Sequence, residues 1–375
     1  MRAMTVSNME YCMQHPVVVV LSKLKPEELN FFERMNKFIV ILAVLSCLAA
    51  CHKVDEAVVS IGPGEALSVT DTVEMSRVKS TMPVLMPVRF IVTGKYLVLY
   101  QKNVDRIFQF YDLPLTGKSF SAGMIGRGPD EFINPDPGSM LGTKNGFCLA
   151  DLDAYKTVEV IDRSIKIVSK EPLITGGVPH NGVVRIGDKF LNLDVSSMIT
   201  TRPEDEAKQF QVIGESGVEK HICDVPDWDD NNANMIRYIS HVVTNQERKV
   251  FAAFYCGFRK IRYYSYKGEL LKEISVDFPD SSVHIEDGFY ETYTRPVASL
   301  DRIVVRCGNY NRLVQDAIPN QTELQIWDWD GRLIHRLIVP MWLELYTIDF
   351  STGFLYAANS EFEDEIFYSD ISEYL

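Results

Sequence analysis

Cysteine is scarce in this chain, and the spacing of the cysteines matches no zinc-binding motif. The 375 residues include seven cysteines, of which four follow Cys51: Cys148, Cys223, Cys256 and Cys307. None of these four stands in a Cys-x-x-Cys or Cys/His spacing that would bind zinc. Each lies in or beside an apolar run, so we expect small buried side chains, with one disulfide as the alternative in an oxidising compartment.

Motifs for catalysis and for cofactor binding are also missing. The sequence contains no Gly-x-Ser-x-Gly, no His-Glu-x-x-His, no P-loop and no complete Gly-x-Gly-x-x-Gly. Gly126 and Gly128 follow a predicted strand, but Pro129 and the lack of a third glycine exclude a dinucleotide-binding loop. The sequence thus assigns no catalytic residue, no metal ligand and no cofactor.

Positive charge is in deficit. Lysine and arginine total 38 against 51 aspartates and glutamates, which gives a formal net charge of −13. No basic stripe with interleaved aromatic residues is present, so we predict no nucleic-acid partner. An acidic body also gains nothing from anionic lipid headgroups, so membrane attachment should depend on a lipid anchor.

Long apolar runs are rare too, and the clearest is followed by a cleavage-type motif. Lys37 precedes the run from Phe38 to Leu48, and Leu48-Ala49-Ala50-Cys51 follows directly. A transmembrane span needs about 20 apolar residues, whereas a secretory signal needs only about 7–15 after a positive residue. The alternatives are a buried helix that ends in Cys51 or a true span, and polar His52 arrives too soon for the latter.

The Leu-Ala-Ala-Cys sequence resembles the lipobox of bacterial lipoproteins. The resemblance implies cleavage before Cys51, lipidation of its sulfur and a membrane partner reached through this N-terminal anchor. No Asp follows Cys51 directly, which favours the outer membrane, on its periplasmic or its surface face.

The position of this motif divides the chain. Met35 opens like a lipoprotein precursor, so we interpret residues 1–34 as a mis-annotated upstream extension; a cytoplasmic extension before an uncleaved anchor is the alternative. Residues 35–50 form the signal peptide, and residues 51–66 the lipidated cysteine and a linker. Residues 67–375 form the folded domain.

A sequence repeat made of β-rich runs extends through that domain. Each copy has one run, a turn, a second run that ends in Asp or Ser, and a third run. Tyr96–Gln101 with Arg106–Leu113 is one copy, and Asp301–Cys307 with Glu323–Asp328 is another. Six copies at about 50 residues each match four-stranded propeller blades. The last copy ends after its third strand, so Leu67–Val78 should supply the fourth.

We therefore predict an all-β fold: a single six-bladed β-propeller of four-stranded blades, closed by an N-terminal strand. A β-sandwich pair or a β-helix is the alternative. A sandwich would not explain the sequence repeat, and a β-helix would need shorter repeats.

One segment carries a family resemblance. Gly126–Phe132 reads GRGPDEF and resembles the Gly-x-Gly-Pro-x-Glu-Phe signature of TolB-like six-bladed propeller lipoproteins, and the segment from Gly126 to Asp162 is similar to an NHL-type blade. The resemblance implies the fold and an envelope location, with no established chemistry. Positive backbone angles at Gly126 and Gly128 would make a rigid corner between blades. A ligand loop through Arg127, Asp130 and Glu131 is the alternative.

Candidate ligand-binding residues follow from the blade register. Residues that enter the innermost strand of each blade surround the mouth of the central channel. Counting back about seven to nine residues from the most clearly β-rich run of each blade selects Arg89, His180, Asn181, His241, Arg295 and Thr347. Cationic and amide groups in an acidic protein favour an anionic or polyhydroxylated ligand. Purely local hydrogen bonding is the alternative.

An acidic loop, Asp224–Asn234, raises the question of calcium. The EF-hand pattern fails, because Asn232 stands where glycine is required and Tyr238 where glutamate is. A solvated loop between blades is the favoured interpretation, and Trp228 could stack on a sugar.

Together these features predict an envelope lipoprotein whose propeller is a binding or interaction scaffold. The partner would be a glycan, a peptide or an envelope protein. The alternative is an enzyme, a lyase or hydrolase acting on glycans or lactones at the channel mouth. A cluster of histidines and carboxylates at the mouth would favour the enzyme, whereas arginine, aromatic and amide groups would favour binding.

Overall fold

A computed structural model describes residues 58–62, 65–66, 68–195, 208–226, 238–276, 290–311 and 319–375. Cys51, the predicted signal peptide and most of the acidic loop, from residue 227 to 234, lie outside the described residues. In the described part no helix has the length and apolar character needed to cross a bilayer.

The described residues form 26 β-strands and two short 3-10 turns. Three strands precede the first blade: β1 (Val58–Ile61), β2 (Thr70–Thr72) and β3 (Ser76–Lys79). The first blade contains β4 (Pro87–Thr93), β5 (Tyr96–Gln101), β6 (Phe108–Asp112) and β7 (Ser119–Ala122). The second contains β8 (Leu141–Gly142), β9 (Gly146–Asp151), β10 (Ala154–Ile161) and β11 (Ser164–Pro172). The third contains β12 (Val184–Ile186), β13 (Lys189–Leu193), β14 (Lys208–Gly214) and β15 (Gly217–Asp224).

The second half of the ring repeats this plan. The fourth blade contains β16 (Ser240–Asn245), β17 (Val250–Tyr255), β18 (Lys260–Ser265) and β19 (Leu270–Val276). The fifth contains β20 (Tyr290–Ala298), β21 (Arg302–Asn311), β22 (Thr322–Asp328) and β23 (Leu333–Val339). The sixth contains β24 (Leu345–Asp349), β25 (Phe354–Ala358) and β26 (Glu365–Asp370). The predicted all-β propeller of six four-stranded blades is confirmed.

The sixth blade is completed from the other end of the chain. β3 pairs antiparallel with β26, with Val78 opposite Ile366. The predicted closure by an N-terminal strand is therefore confirmed. Pairing the first folded segment with the last blade holds the ring shut, because opening it would break backbone hydrogen bonds between distant parts of the chain.

Two further N-terminal strands extend the outer edges of neighbouring blades. β1 pairs parallel with β19, with Val59 opposite Ile274, and β2 pairs parallel with β23, with Asp71 opposite Leu337. The sequence does not predict these two pairings. β1 falls within the segment interpreted as linker, and β2 falls within Leu67–Val78, the run predicted to close the sixth blade. The predicted bounds of the closing strand are therefore wrong, because closure is made by β3, at the end of that run. The N-terminal segment therefore covers two outer strands that would otherwise be open edges.

The hydrophobic core lies between the blades. In the described residues it divides into six clusters, and each cluster joins two adjacent blades. Between the fourth and fifth blades, for example, Ile261 packs in the same cluster as Ile303 and Trp327. Middle strands are consequently buried on both faces, and every residue of β22 is buried. This packing explains why apolar and polar residues do not simply alternate along these strands.

The four cysteines after Cys51 are free thiols. Cys223, Cys256 and Cys307 are buried, and Cys148 is half-buried. Burial raises the pKa of the Cys148 and Cys307 thiols. They act as small apolar side chains, as the sequence predicts.

The Gly-Arg-Gly-Pro-Asp-Glu-Phe segment forms the corner between β7 and β8. The Glu131 carboxylate accepts a hydrogen bond from the Gly128 amide at 2.7 Å, and Asp130 accepts one from the Ile167 amide at 2.8 Å. A Cβ atom at Gly126 would overlap the Glu131 carboxylate. The rigid corner is confirmed, but its expected cause is wrong: neither glycine has a positive φ, and Gly126 is needed for this close approach.

Candidate functional site at the channel mouth

The innermost strands of the blades surround a central cavity. β24 contacts β4, β16 contacts β20, and β12 contacts β16 around the ring axis. The cavity has a volume of about 1160 Å³, and every blade or its connecting loop contributes to the wall. We call it the channel cavity. Its volume slightly exceeds the usual range for small-ligand sites, about 300–1,000 Å³.

Four of the six predicted residues line the channel cavity: Arg89, Asn181, His241 and Arg295. They come from the first blade, the loop before the third blade, the fourth blade and the fifth blade. His180 instead lines a smaller neighbouring cavity of about 390 Å³. Thr347 is buried in β24 and lines neither cavity. The structure thus brings most of the set together, and the ligand-binding role remains a prediction.

Arg295 occupies an irregular position in β20. The pairing of β20 with β21 shifts register between Thr294 and Val297, and Arg295 has a φ of 56°. A β-bulge of this kind redirects a side chain, and a left-handed backbone is uncommon for arginine. The guanidinium donates a hydrogen bond to the Val88 carbonyl at 2.7 Å. Burial lowers the pKa of Arg295 to about 10, and repulsion by Arg306 and Arg89 contributes.

Arg89 also follows a register shift, here between Pro87 and Arg89 in the pairing of β4 with β5. Its Nε atom is buried and has no hydrogen-bond partner within the described residues. Burial lowers the pKa of the Arg89 guanidinium. A buried donor without an acceptor is costly, so this side chain has capacity to bind an incoming acceptor.

His241 lies on β16 near these two arginines. Burial lowers the pKa of His241 to about 4, and repulsion from Arg295 and Arg89 adds to the effect, while Glu291 opposes it. The imidazole is therefore neutral at pH 7. In that state one ring nitrogen donates a hydrogen bond and the other accepts one.

A saturated ion pair supports this wall of the cavity. Arg306 donates to the Glu291 carboxylate at 2.7 Å, to the Leu343 carbonyl at 2.9 Å and to Thr294. Its guanidinium lies 4.5 Å from the ring centroid of Trp342. The Arg306 donors are engaged in these contacts, so Arg306 holds the wall together instead of offering free donors to a ligand.

Sequence reasoning missed these supporting residues. Arg306 belongs to the second strand of its blade, and counting back to innermost strands does not reach it. The signal in the sequence was a charged residue inside the apolar run from Ile303 to Cys307. A cation in a buried strand needs a partner, and the register that places Thr294 opposite Arg306 also brings Glu291 close.

The described residues contain no cluster of metal-binding side chains. Within them, no three His, Cys, Asp or Glu side chains come together in an arrangement that could hold a metal ion. Of the acidic loop, Asp224 is described and forms an ion pair with Lys208. The wall of the channel cavity carries arginine, histidine, amide and tryptophan side chains together with four carboxylates: Asp136, Glu291, Glu344 and Glu361.

The arrangement suits recognition of negative charge. Two arginines with lowered pKa approach from different blades, and their mutual repulsion falls when an anion lies between them. The neutral His241 can exchange hydrogen bonds with a hydroxyl group. The channel cavity can therefore hold a ligand that combines an anionic group with hydroxyls.

Comparisons with known proteins give only distant structural likenesses. No protein-family model matches the chain, and no curated protein matches it by sequence. A solved structure described as an exported protein of Bacteroides fragilis is 10% identical, covers 83% of this chain and 98% of its own, and has a TM-score of 0.47. A DUF4221 family member from Bacteroides vulgatus is 9% identical, with 80% and 98% coverage and a TM-score of 0.48. Virginiamycin B lyase from Staphylococcus aureus is 10% identical, with 78% and 98% coverage and a TM-score of 0.41.

Proposed function

We propose that this chain is a lipid-anchored envelope protein whose propeller binds a small anionic, hydroxyl-rich ligand in the channel cavity. The observation that carries the proposal is the approach of Arg89, Arg295 and His241, from three blades, to one cavity wall. The anchor part of the proposal rests on the lipobox-like sequence that ends at Cys51. Assignment to the TolB-like lipoproteins rests on the Gly126–Phe132 segment.

The two arginines Arg89 and Arg295 support an anionic ligand at their part of the cavity wall. Taking guanidinium groups out of water is unfavourable unless an opposite charge is nearby. Arg306 has Glu291 as its partner, whereas the lowered pKa values of Arg89 and Arg295 indicate incompletely compensated charge. A carboxylate between them would restore those pKa values and would be held by charge-assisted hydrogen bonds.

The remaining wall supports hydroxyl groups on the same ligand. His241 is neutral, Asn181 offers an amide, and half-buried Trp342 adds an aromatic ring. A few polar groups around an apolar surface are typical of small-ligand sites. Sugar acids combine a carboxylate with several hydroxyls and are the simplest molecules of this class.

The test is a thermal-shift and calorimetric titration of the full chain, purified in detergent, with galacturonate and with neutral galactose. Galacturonate at 100 times its dissociation constant should stabilise the protein by roughly 2.7 kcal/mol. Arg89→Met and Arg295→Met should remove that effect. Arg248→Met is the matched control, because Arg248 pairs with Asp330 and does not line the cavity.

Two outcomes would contradict the proposal. Equal shifts with galactose and galacturonate would show that charge is not recognised. A galacturonate shift that survives both cavity substitutions would place the binding elsewhere. Cleavage of a galacturonate disaccharide incubated with the protein, detected by product analysis, would favour the lyase or hydrolase alternative.

A further inference from the structure

A second cavity adjoins the channel cavity. Its volume is about 390 Å³, and we call it the side pocket. Its wall comes from the β5–β6 loop, the loop before β8, the β9–β10 turn and the loop before β12: Lys102, Asn134, Leu152, Thr175, Val178 and His180. These loops lie at the same ends of the strands as the residues of the channel cavity.

The two cavities share one wall, formed by Asp136 and Pro137. The Asp136 carboxylate accepts hydrogen bonds from the Gly182 amide and from the Gly138 amide, each at 2.9 Å. A Cβ atom at Gly138 would lie 3.0 Å from the Gly182 Cα, so the loop before β8 and the loop before β12 pack closely at these two glycines. Because the carboxylate is held by backbone amides, this ridge is a fixed feature between the second and third blades.

The chemistry of the side pocket differs from that of the channel cavity. His180 is half-buried, and burial lowers its pKa, so it is neutral at pH 7. Asn134 and Thr175 add polar groups, and Lys102 stands exposed at the rim. Polar groups beside apolar walls suit a hydroxyl-bearing ring more than a second fully buried anion.

We infer that the side pocket is a second subsite for the same ligand, so that the ligand is an acidic oligosaccharide of at least two residues. This inference rests on the proposed function. One acidic residue lies against Arg89 and Arg295, and the next residue crosses the Asp136–Pro137 ridge into the side pocket. The shared wall of Asp136 and Pro137 makes the two cavities direct neighbours, so adjacent residues of one ligand can occupy both.

An oligosaccharide fits this path better than an acidic peptide. Peptides that bind in extended form by strand addition are recognised through main-chain hydrogen bonds to the protein backbone. Three residues of the side pocket are Pro135, Pro137 and Pro179, and proline has no N–H to donate. Asn134, Thr175 and His180 contribute polar side chains there, which match hydroxyl groups.

The test is a titration of the full chain in detergent with galacturonic acid, its dimer and its trimer. The native protein should bind the dimer about tenfold more tightly than the monomer. Val178→Trp fills the side pocket and His180→Ala removes a polar contact, so both should abolish this gain while leaving monomer binding unchanged. Val168→Trp is the matched control, because Val168 is exposed on the outer strand β11.

The outcomes separate the two proposals. Failure of the monomer to bind would overturn the proposed function. Monomer binding with no gain for the dimer, or a gain that both side-pocket variants retain, would overturn the subsite. A gain shown by tetraglutamate, absent for the galacturonate dimer and lost in Val178→Trp, would replace the oligosaccharide by a peptide.

Discussion

The Tyr346 hydroxyl donates a hydrogen bond to the carbonyl oxygen of Arg295 at 2.7 Å. Tyr346 belongs to the sixth blade and Arg295 to the fifth, so this contact fixes the irregular backbone of one innermost strand from the next. Left-handed backbone at a non-glycine residue persists only when its surroundings hold it in place. The position of the Arg295 guanidinium therefore depends on Tyr346.

Tyr346→Phe should loosen Arg295 without removing the aromatic ring. We expect a loss of about 1 kcal/mol in unfolding free energy, the usual value of one hydrogen bond, together with weaker galacturonate binding. Urea unfolding and calorimetry measure the two effects. Tyr96→Phe is the control, since the Tyr96 hydroxyl has no hydrogen bond in the described part of the chain. Unchanged affinity in Tyr346→Phe would show that Arg295 keeps its place without this contact.

His241 should make stability depend on pH. Its pKa in the folded protein is about 4, below the ordinary value of 6.5, because burial and two arginines disfavour the charged form. The unfolded chain therefore binds a proton first as the pH falls, and stability is lost between about pH 6.5 and pH 4. Above this window the contribution is fully present.

His241→Gln should lack that part of the pH dependence. The unfolding free energies of the native protein and the variant are measured at several pH values from 4 to 8, and their difference is plotted against pH. Other groups titrate in both proteins, so only the difference reports on His241. A difference that stays constant over the whole range would contradict the lowered pKa.

Lys156 and Asp151 form a buried ion pair behind the Gly-Arg-Gly-Pro-Asp-Glu-Phe corner. Asp151 also accepts hydrogen bonds from the amides of Ile133 and Asn134, and Lys156 lies 5.1 Å from the ring centroid of Phe132. Lys156→Met should destabilise the protein by about 3–5 kcal/mol, because it leaves a buried carboxylate without its cation.

The double variant Lys156→Met with Asp151→Asn removes both charges and should be less destabilised than the sum of the single variants. Urea denaturation of all four proteins completes the cycle. Additive single effects would mean that the two charges do not interact.

The closing strand can be tested by replacing Ser76–Lys79 with a Gly-Ser segment of equal length. This removes the pairing with β26 and the packing of Val78 beside the interface of the sixth and first blades. The melting temperature should fall by several degrees, because β26 loses its hydrogen-bonded partner and the ring is no longer closed. A Gly-Ser replacement of the three residues 116–118, in the turn before β7, is the control. An unchanged melting temperature would refute closure by β3.

The anchor is tested at Cys51. Cys51→Ala should abolish labelling by a fatty-acid probe in cells and leave an uncleaved precursor. Cys148→Ala is the control, since Cys148 is half-buried within the second blade. Continued labelling of Cys51→Ala would overturn the lipobox prediction.

The sequence alone was enough to predict the repeating strands of the blades and their grouping into six blades. The runs Tyr96–Gln101 and Val250–Tyr255 were predicted with the bounds of β5 and β17, because turn residues and β-rich composition act over a few neighbouring positions. The need for a closing strand also followed from counting strands in the last copy. Four of the six candidate site residues reached one cavity for the same reason, since each occupies an equivalent place in its blade.

Tertiary structure decided the rest. The bulges at Arg89 and Arg295, the support from Tyr346 and Arg306, and the placement of His180 in a separate pocket depend on contacts between blades distant in the chain. The parallel pairing of β1 with β19 and of β2 with β23 likewise joins segments that are far apart in the sequence. A local pattern specifies where a strand begins, but packing around the ring determines which side chains meet at its centre.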